Sequence, residues 1–489
     1  MSEIVLENNN RTTTSVTGIP ALDTESTLTG LLHKQRKAFL QNPCPSASER
    51  RGWLQQLKQA LLNHKEELIQ AIDADFGGRS RNETLIAEFM SSLGDIAYGS
   101  KHLKKWMKPS RRSVPLHLQP ASAKVLYQPV GVVGIIVPWN YPLFLAMGPL
   151  VAALSAGNRC MLKLSEFTPE TSKLTTEIIA KTFPEDLITV VNGEADVAAA
   201  FSKLPFDHLL FTGSTSVGKH VMRAAADNLT PVTLELGGKS PVLVDNDFPL
   251  QEAVERICYG KSLNAGQTCV APDYILIEKS QQQAFIDAYI KAFRTMYPTV
   301  SGNPDYSAII NERQHERLQS LIQDAKDKGA TVVTLDDESI TDGSRRMPPH
   351  LIVNATDDME VMQQEIFGPL LPVIAIENLN EGIEFIRARP RPLALYYFGS
   401  SKERQEQVQQ ATHSGGVCIN ETLMHVAIDD MPFGGIGPSG MGHYHGHEGF
   451  LTFSKAKSVL SKGRFNSAKL VFPPHNTKLK KAILKFISS

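Results

Sequence analysis

The chain has 489 residues, more than a single hydrophobic core ordinarily organises, so two or three domains are expected. Its 50 lysines and arginines are balanced by 51 aspartates and glutamates, which argues against nucleic acid or an anionic membrane as a partner. The five cysteines have no CxxC spacing, which argues against a disulfide framework or a zinc site and predicts reduced thiols in the cytoplasm.

A polar terminus and a helical region come first along the chain. Residues 1–25 are rich in Asn, Thr and Ser, and 1–11 lack the apolar core of a secretory signal, which predicts a mobile N-terminal arm. Apolar residues then recur at helical spacing from about 31 to 107. The apolar stretch 131–157 contains three prolines, so it is predicted to form a buried strand, turn and helix rather than a membrane span.

Short strands then alternate with helices, which indicates a parallel, doubly wound sheet. The strands predicted in this first series are 131–137, 159–164, 187–192, 208–212 and 232–236. A second α/β series follows Ser240, with helices predicted at 281–293 and 311–328. The strands predicted in that series are 274–278, 331–335, 371–375, 394–398 and 416–419.

The end of the chain shows one more helical pattern. Leu479, Ile483 and Phe486 recur at helical spacing, and lysines occupy other positions around the turn. This predicts a short amphipathic helix with a basic side. The segment is too short to cross a bilayer, which takes about 20 apolar residues, so packing on the protein is expected instead of membrane association.

Glu235 and Cys269 lie in two glycine-bearing segments, LELGGKSP (234–241) and NAGQTCV (264–270). A thiol among small residues, with a carboxylate held in its own turn, indicates a cysteine nucleophile and a general base. Taken singly, each residue has a plainer interpretation: Cys269 as a buried structural cysteine, and Glu235 as a solvated glutamate.

Two glycine-rich segments could bind phosphate groups. The segment FTGSTSVGK (211–219) follows an apolar strand and opens a helix, so its backbone amides and helix N-terminus can bind a pyrophosphate. The segment GIGPSG (435–440) has formal GxGxxG spacing, but no strand precedes it and no acid follows about 20 residues later. The first segment is therefore the predicted phosphate site, and the second is predicted to be a loop.

Taken together, these segments resemble those of the NAD(P)-dependent aldehyde dehydrogenases, and the resemblance extends over about residues 30–460. It implies an α/β, aldehyde dehydrogenase-like fold with a Rossmann-type cofactor domain, an α/β catalytic domain and a β oligomerisation arm. The implied NAD-binding domain comprises 26–113 and 129–236, the catalytic domain 237–437, the arm 114–128 and 438–462, and the C-terminal tail 463–489.

The same resemblance implies roles for individual residues. Cys269 would attack the aldehyde, Asn140 would donate its amide to the oxyanion, and Glu235 would activate water. Glu166 would accept hydrogen bonds from ribose hydroxyls and repel a 2′-phosphate, which favours NAD, with NADP as the alternative. The implied cofactor contacts are Trp139, Lys163, Glu166, Gly213, Ser214, Gly218, Leu236, Glu365 and Phe367.

Further segments, among them 392–398 and 432–446, resemble the class-3-like branch of the family and its bacterial coniferyl aldehyde dehydrogenase group. This implies a homodimer and an aldehyde that is aromatic, such as coniferyl aldehyde, or medium-chain and apolar. Two alternatives stay open: a coenzyme A-acylating enzyme, against which Glu235 counts, and a non-catalytic structural or binding protein. The alternating histidines at 443, 445 and 447 lack a partner cluster, so no metal is predicted.

Overall fold

The computed structural model of the protein describes residues 21–336, 340–467, 469 and 472–487. Residues 1–20 of the predicted N-terminal arm lie outside this range, and the last five residues of that arm belong to the first helix. In chain order the α-helices are α1 Ala21–Gln41, α2 Ala47–Asn63, α3 Lys65–Phe76, α4 Arg81–Glu83, α5 Ser91–Trp106, α6 Phe144–Ala156, α7 Pro169–Thr182, α8 Ala195–Ser202, α9 Thr215–Ala226, α10 Leu250–Ser262, α11 Gln282–Met296, α12 Glu312–Asp327, α13 Glu360–Gln363, α14 Leu379–Arg387, α15 Lys402–Ala411, α16 Gly446–Thr452 and α17 Lys478–Ile487. A π-helix, Thr84–Met90, joins α4 to α5.

The strands of the described residues form three sheets. In chain order they are β1 Ser110–Arg112, β2 Ala121–Pro129, β3 Val132–Ile136, β4 Arg159–Lys163, β5 Ile188–Val191, β6 His208–Thr212, β7 Val232–Glu235, β8 Pro241–Val244, β9 Tyr274–Glu278, β10 Thr331–Thr334, β11 His350–Val353, β12 Leu370–Ile376, β13 Ala394–Phe398, β14 Gly416–Ile419, β15 Gly440–Met441 and β16 Ser454–Lys462. The α/β class and each strand predicted from the sequence are confirmed, with ends that differ by no more than one residue.

The first sheet has the order β15-β7-β6-β3-β4-β5, and its strands run parallel apart from β15. Neighbouring residues of β3, such as Val132 and Val133, belong to two separate apolar clusters, so the sheet is buried on both faces. Parallel strands share one polarity, which brings the carboxyl ends of β3, β4, β6 and β7 to the same edge. Asn140, Lys163, Ser214 and Glu235 end or follow these strands.

The second sheet has the order β10-β11-β12-β9-β8-β13-β14, and only its edge strand β10 is antiparallel. Cys269 precedes β9, and Glu365 precedes β12. Both residues therefore lie at the amino edge of this sheet. The chain passes directly from Glu235, at the carboxyl end of β7, to β8, so that the edges of the two sheets face each other.

The third sheet is an antiparallel ribbon of order β1-β2-β16. Strand β16 pairs with β2 along nine residues, from Ser454 opposite Pro129 to Lys462 opposite Ala121. Within the segment 438–462, which the sequence analysis assigns to the arm, only β16 belongs to this ribbon. Strand β15 pairs with β7 of the first sheet, and α16 packs on α5 and α6. The predicted domain boundaries stay predictions.

The apolar stretch 131–157 folds as predicted into a buried strand, a turn and a helix. Every residue of α6 from Leu145 to Ala156 is buried, including Pro149. No helix within the described ranges is both long enough and apolar enough to cross a membrane. Residues 435–439 form a loop, as predicted, whereas Gly440, the last residue of that segment, begins β15. The C-terminal amphipathic helix is present as α17.

A left-handed turn precedes Cys269 in the chain. Asn264 has a φ of 52° and Gly266 one of 74°, a region that costs energy for residues with a side chain. The side-chain amide of Gln267 closes the turn by donating to the carbonyl oxygens of Asn264 and Ala308, each at 3.0 Å. The backbone N–H of Ile310 donates to the Gln267 Oε1 at 3.0 Å, so the Gln267 amide is bonded on both sides.

This turn leads to a stability prediction for Gly266→Ala. A Cβ atom at Gly266 would overlap the carbonyl oxygen of Gly368, a backbone atom that cannot move aside cheaply. Gly302→Ala is the matched control, because Gly302 has a φ of 68° and open space where its Cβ would lie. We expect Gly302→Ala to lose about 1–2 kcal/mol of unfolding free energy, for the left-handed backbone alone, and Gly266→Ala to lose distinctly more. Urea denaturation measures both, and equal losses would contradict the packing argument.

Candidate active site

A cavity of about 250 Å³ lies where the carboxyl edge of the first sheet meets the amino edge of the second. It brings together the three predicted catalytic residues and five of the predicted cofactor contacts. Lys163, Glu166, Gly218 and Leu236 do not line it. Its lining consists of Pro138, Trp139, Asn140, Leu145, Thr212, Gly213, Ser214, Glu235, Gly237, Cys269, Gln314, Arg317, Glu365 and Phe367.

Cys269 follows the left-handed turn and is half-buried in the cavity wall. Burial raises the pKa of its thiol to about 12, and the carboxylates of Glu365 and Glu235 add to this effect. Hydrogen bonding to the backbone of Cys269 and Val270 acts in the opposite direction and lowers the pKa. The cysteine is therefore accessible from the cavity but protonated at neutral pH in the free protein.

Glu235 ends β7 and is 3% exposed. Among the described residues, neither of its carboxylate oxygens has a hydrogen-bond partner. Burial raises the pKa of Glu235 well above its usual 4.5. An acid with a raised pKa and free lone pairs in a cavity is suited to proton transfer near neutral pH.

Asn140 connects the first sheet to the turn that precedes Cys269. Its side-chain amide donates to the carbonyl oxygen of Gln267 at 3.1 Å. The backbone carbonyl oxygen of Asn140 accepts from the Arg79 Nη1 at 2.9 Å and from the Asn264 Nδ2 at 3.1 Å. An amide carries two N–H groups, so Asn140 keeps a second donor for a ligand in the cavity.

Glu365 and Phe367 form the wall opposite the first sheet. The Glu365 Oε1 is buried without a partner in the described residues, and burial raises the pKa of this carboxyl to about 8. The Phe367 ring meets Trp139 edge-on, with ring centroids 5.3 Å apart. The Arg317 Nη2 supports this loop by donating to the Ile366 carbonyl oxygen at 2.5 Å.

The N-terminus of α9 opens into the same cavity. Ser214 caps this helix, and its Oγ accepts from the Val217 N–H at 3.4 Å. Gly218 lies one turn further on, where a Cβ atom would come within 2.7 Å of the Leu236 side chain. Gly218 and Leu236 thus pack α9 closely against the sheet. The Gly213 N–H donates to the Glu235 carbonyl oxygen at 3.0 Å, so an anion would be met by the helix N-terminus that Ser214 caps.

Lys163 and Glu166 lie at the carboxyl end of β4, beside a second cavity of about 360 Å³. The Lys163 Nζ donates to the Leu164 carbonyl oxygen at 2.7 Å and approaches the Glu166 Oε2 at 3.5 Å. Burial lowers the pKa of Lys163, whereas the Glu166 carboxylate raises it. Glu177, Glu194 and Lys173 also line this cavity, so three carboxylates, counting Glu166, face one ammonium group and the charge is predominantly negative.

The residues present are suited to a dinucleotide. A capped helix N-terminus matches a pyrophosphate, the orphaned Glu365 oxygen can accept from a ribose hydroxyl, and Glu166 can do the same at the far end. Within the described ranges, no three His, Cys, Asp or Glu side chains are grouped so as to hold a metal ion.

Several contributing residues were missed by the sequence analysis. Gln314 and Arg317 are one turn apart on α12 and reach the cavity, but in the sequence they resemble an ordinary polar helix face. Arg79 and Gln267 act through buried hydrogen bonds that span 61 and 43 positions of the chain. Gln267 lies within the Cys269 segment, and that neighbourhood was the only signal available for it.

The family model for the aldehyde dehydrogenase family matches residues 2–459 of this chain. The chain is 59% identical over 458 residues to the "Probable coniferyl aldehyde dehydrogenase" of Pseudomonas aeruginosa, covering 94% of this chain and 96% of that protein.

Solved structures agree with this match. A Staphylococcus aureus AldH in its substrate-bound state has a TM-score of 0.89 at 38% identity, covering 94% of this chain and 99% of that one. A Mycobacterium tuberculosis aldehyde dehydrogenase complexed with NAD+ has a TM-score of 0.81 at 29% identity, with 91% of each chain covered. The chain therefore belongs to the aldehyde dehydrogenase family and is an NAD(P)-dependent, aldehyde-oxidising oxidoreductase.

Proposed function

We propose that the protein oxidises an aromatic aldehyde such as coniferyl aldehyde, or a medium-chain apolar aldehyde, to its carboxylic acid through a thioester on Cys269. The observation that carries this proposal is the meeting of a thiol, an unpartnered carboxylate and an amide donor, Cys269, Glu235 and Asn140, in one cavity. These are the three groups that covalent oxidation and hydrolysis of an aldehyde require.

In the first half of the reaction, the Cys269 thiol loses its proton to solvent, and the sulfur adds to the carbonyl carbon to form a thiohemiacetal oxyanion. The second N–H of the Asn140 amide, together with the backbone N–H of Cys269, stabilises the negative charge on the former carbonyl oxygen. NAD, when bound, accepts the hydride that leaves the substrate carbon. What remains on Cys269 is a thioester.

In the second half, Glu235 takes a proton from water, which attacks the thioester carbonyl and releases the acid and the free thiol. Burial raises the pKa of Glu235 without a compensating partner, so the carboxylate gains much by accepting a proton. This hydrolytic base argues against the coenzyme A-acylating alternative, in which a second thiol would take the place of water.

We propose NAD rather than NADP as the preferred cofactor. Glu166, Glu177 and Glu194 line the cavity at the end of β4, where the adenosine ribose would lie. Their negative charge suits ribose hydroxyls, which donate to carboxylates, and disfavours a 2′-phosphate. Lys163, which is held against the Leu164 carbonyl oxygen, would donate to the same ribose.

The substrate class rests on two observations. A relative with 59% identity carries the name coniferyl aldehyde dehydrogenase. The apolar side chains of Leu145, Trp139 and Phe367 line the cavity, and such surfaces favour apolar substrates. The chemistry of the site is the same for either class of aldehyde.

We propose a homodimer in a reducing compartment, the cytoplasm. The nine-residue pairing of β16 with β2 leaves an exposed ribbon to which a second subunit could add. All five cysteines are free, as expected where thiols stay reduced.

We predict that the purified protein reduces NAD when given aldehydes from a panel of acetaldehyde, hexanal, benzaldehyde and coniferyl aldehyde. NADH absorbance should give the highest kcat/KM for coniferyl aldehyde or hexanal, a lower value with NADP, and no dependence on coenzyme A. Cys269→Ala should abolish this activity and keep NAD affinity, while Cys258→Ala, which removes a buried thiol outside the cavity, should leave it near wild type. NADH formation by Cys269→Ala, or an absolute need for coenzyme A, would contradict the proposal.

We predict that the steady-state turnover rate falls as the pH is lowered, and that the midpoint of this fall lies above 4.5, the usual pKa of a glutamate. The carboxylate of Glu235 is the active form, and its raised pKa means that this form is lost early as the pH falls. Glu235→Gln should reduce kcat by about 10²–10⁴ and remove this limb, while the first NADH formed per active site appears at nearly the normal rate. An unchanged steady-state pH profile in Glu235→Gln would assign the base to another group.

A further inference from the structure

Three charged side chains are buried behind the cavity, and none of them lines it. Arg79, Glu83 and Glu88 lie at the start of the helical segment that runs through α4 and the π-helix. Their side chains are 0%, 9% and 0% exposed. Burying charge is expensive unless it is paired and hydrogen-bonded, and an apolar replacement of a buried ion pair is often no less stable. Stability alone therefore does not explain why these three charged side chains are buried here.

Arg79 reaches the turn that carries Asn140. Its guanidinium lies over the rings of Phe76 and Tyr141, at 4.6 and 4.9 Å from the ring centroids. From there the Nη1 donates to the carbonyl oxygen of Asn140 at 2.9 Å. The hydroxyl of Tyr141 is hydrogen-bonded to the Thr268 hydroxyl at 2.7 Å, so the same stack contacts the residue that precedes Cys269.

Glu83 reaches the left-handed turn before Cys269. Its Oε1 accepts from the backbone N–H of Asn264 at 3.1 Å, and its Oε2 accepts from the Ser307 hydroxyl at 2.5 Å. The Arg79 Nε lies 3.9 Å from the Glu83 Oε2, which balances the charge without a direct hydrogen bond.

Glu88 holds the other side of the Asn140 turn. Its Oε2 accepts from the backbone N–H groups of Leu143 and Phe144, at 2.7 and 3.1 Å. These groups open α6, which has no side-chain cap of its own at Leu143. The Arg79 Nη2 lies 3.8 Å from the Glu88 Oε1.

The three charges thus make backbone contacts with two separate segments, 140–144 and 264–267, which carry the amide donor and lead to the thiol. Arg79 is the centre of the group, because it faces both carboxylates and also bonds Asn140. A π-helix changes the facing of side chains along a helix, and such irregularities often lie at functional sites. Here the π-helix begins at Thr84, between the two glutamates.

We propose that Arg79 is a positioning residue that, with Glu83 and Glu88, holds the Asn140 amide in place relative to the Cys269 sulfur for the first half of the reaction. This rests on the proposed function of Asn140 and Cys269. The amide stabilises an oxyanion only within hydrogen-bond distance, so a shift of about 1 Å is enough to slow that step. Arg79 touches neither the aldehyde nor the cofactor cavity, so its effect is confined to geometry.

The test is single-turnover NADH formation with enzyme in excess over the aldehyde that the wild type oxidises fastest. We expect Arg79→Met to lower the saturating rate of this phase about tenfold or more, while the NAD dissociation constant changes less than about twofold. Arg79→Lys keeps the charge and a donor and should recover part of the rate. If Arg79→Met fails to fold, Arg79→Lys alone still tests the proposal, because it should fold and still be slower than the wild type.

Arg50→Met is the matched control. Arg50 is also a buried arginine that donates to backbone carbonyl oxygens, those of Ser155 and Ala156 at 3.0 and 2.7 Å, but it contacts neither active-site segment. It should lower the melting temperature and leave the single-turnover rate within about twofold of wild type. A wild-type rate in the Arg79 variants, or an equal loss in Arg50→Met, would overturn the inference. A wild type that reduces no NAD would instead refute the proposed function itself.

Discussion

The backbone carbonyl of Gln267 joins the two halves of the site by accepting hydrogen bonds beside both of them. It accepts from the side-chain amides of Asn140 at 3.1 Å and of Asn264 at 3.2 Å. Asn140 follows a strand of the first sheet, whereas Gln267 leads into the second, so this shared acceptor ties the edges of two sheets together. Two further bonds join the same segments, from the Asn264 Nδ2 to the Asn140 carbonyl oxygen at 3.1 Å and between the Tyr141 and Thr268 hydroxyls at 2.7 Å. The spacing of the amide donor and the thiol is therefore set by local hydrogen bonds as well as by the packing of whole sheets.

Burial sets the electrostatic state of the cavity. It raises the pKa of Glu365 to about 8, that of Cys269 to about 12, and that of Glu235 well above its usual value. Burial therefore favours the neutral form of each of these groups in the free protein. A positive charge brought into this cavity would favour the ionised forms of all three groups.

The features that could be predicted from the sequence are those that depend on short-range patterns along the chain. The strands from β3 to β7, the cap at Ser214 and the Glu235 and Cys269 segments carry short-range patterns, and the structure has them at the expected positions. Strands β8 and β11 were not predicted; each is a short run, PVLV and HLIV, that shows no alternation of apolar and polar residues. The bond from Arg79 to Asn140 and the position of Gln314 in the cavity wall could not be predicted either, because both depend on the packing of segments that are far apart in the chain.

The central claim is that Cys269 carries the acyl group between the two halves of the reaction. Mass spectrometry of the intact Glu235→Gln protein, quenched after mixing with NAD and coniferyl aldehyde or hexanal, tests it most directly. The account predicts a mass gain equal to the aldehyde less two hydrogen atoms, the thiol proton and the transferred hydride, located by peptide mapping to Cys269 and absent when Cys269 is replaced by alanine. NADH formation with no adduct, or with an adduct on another residue, would contradict it.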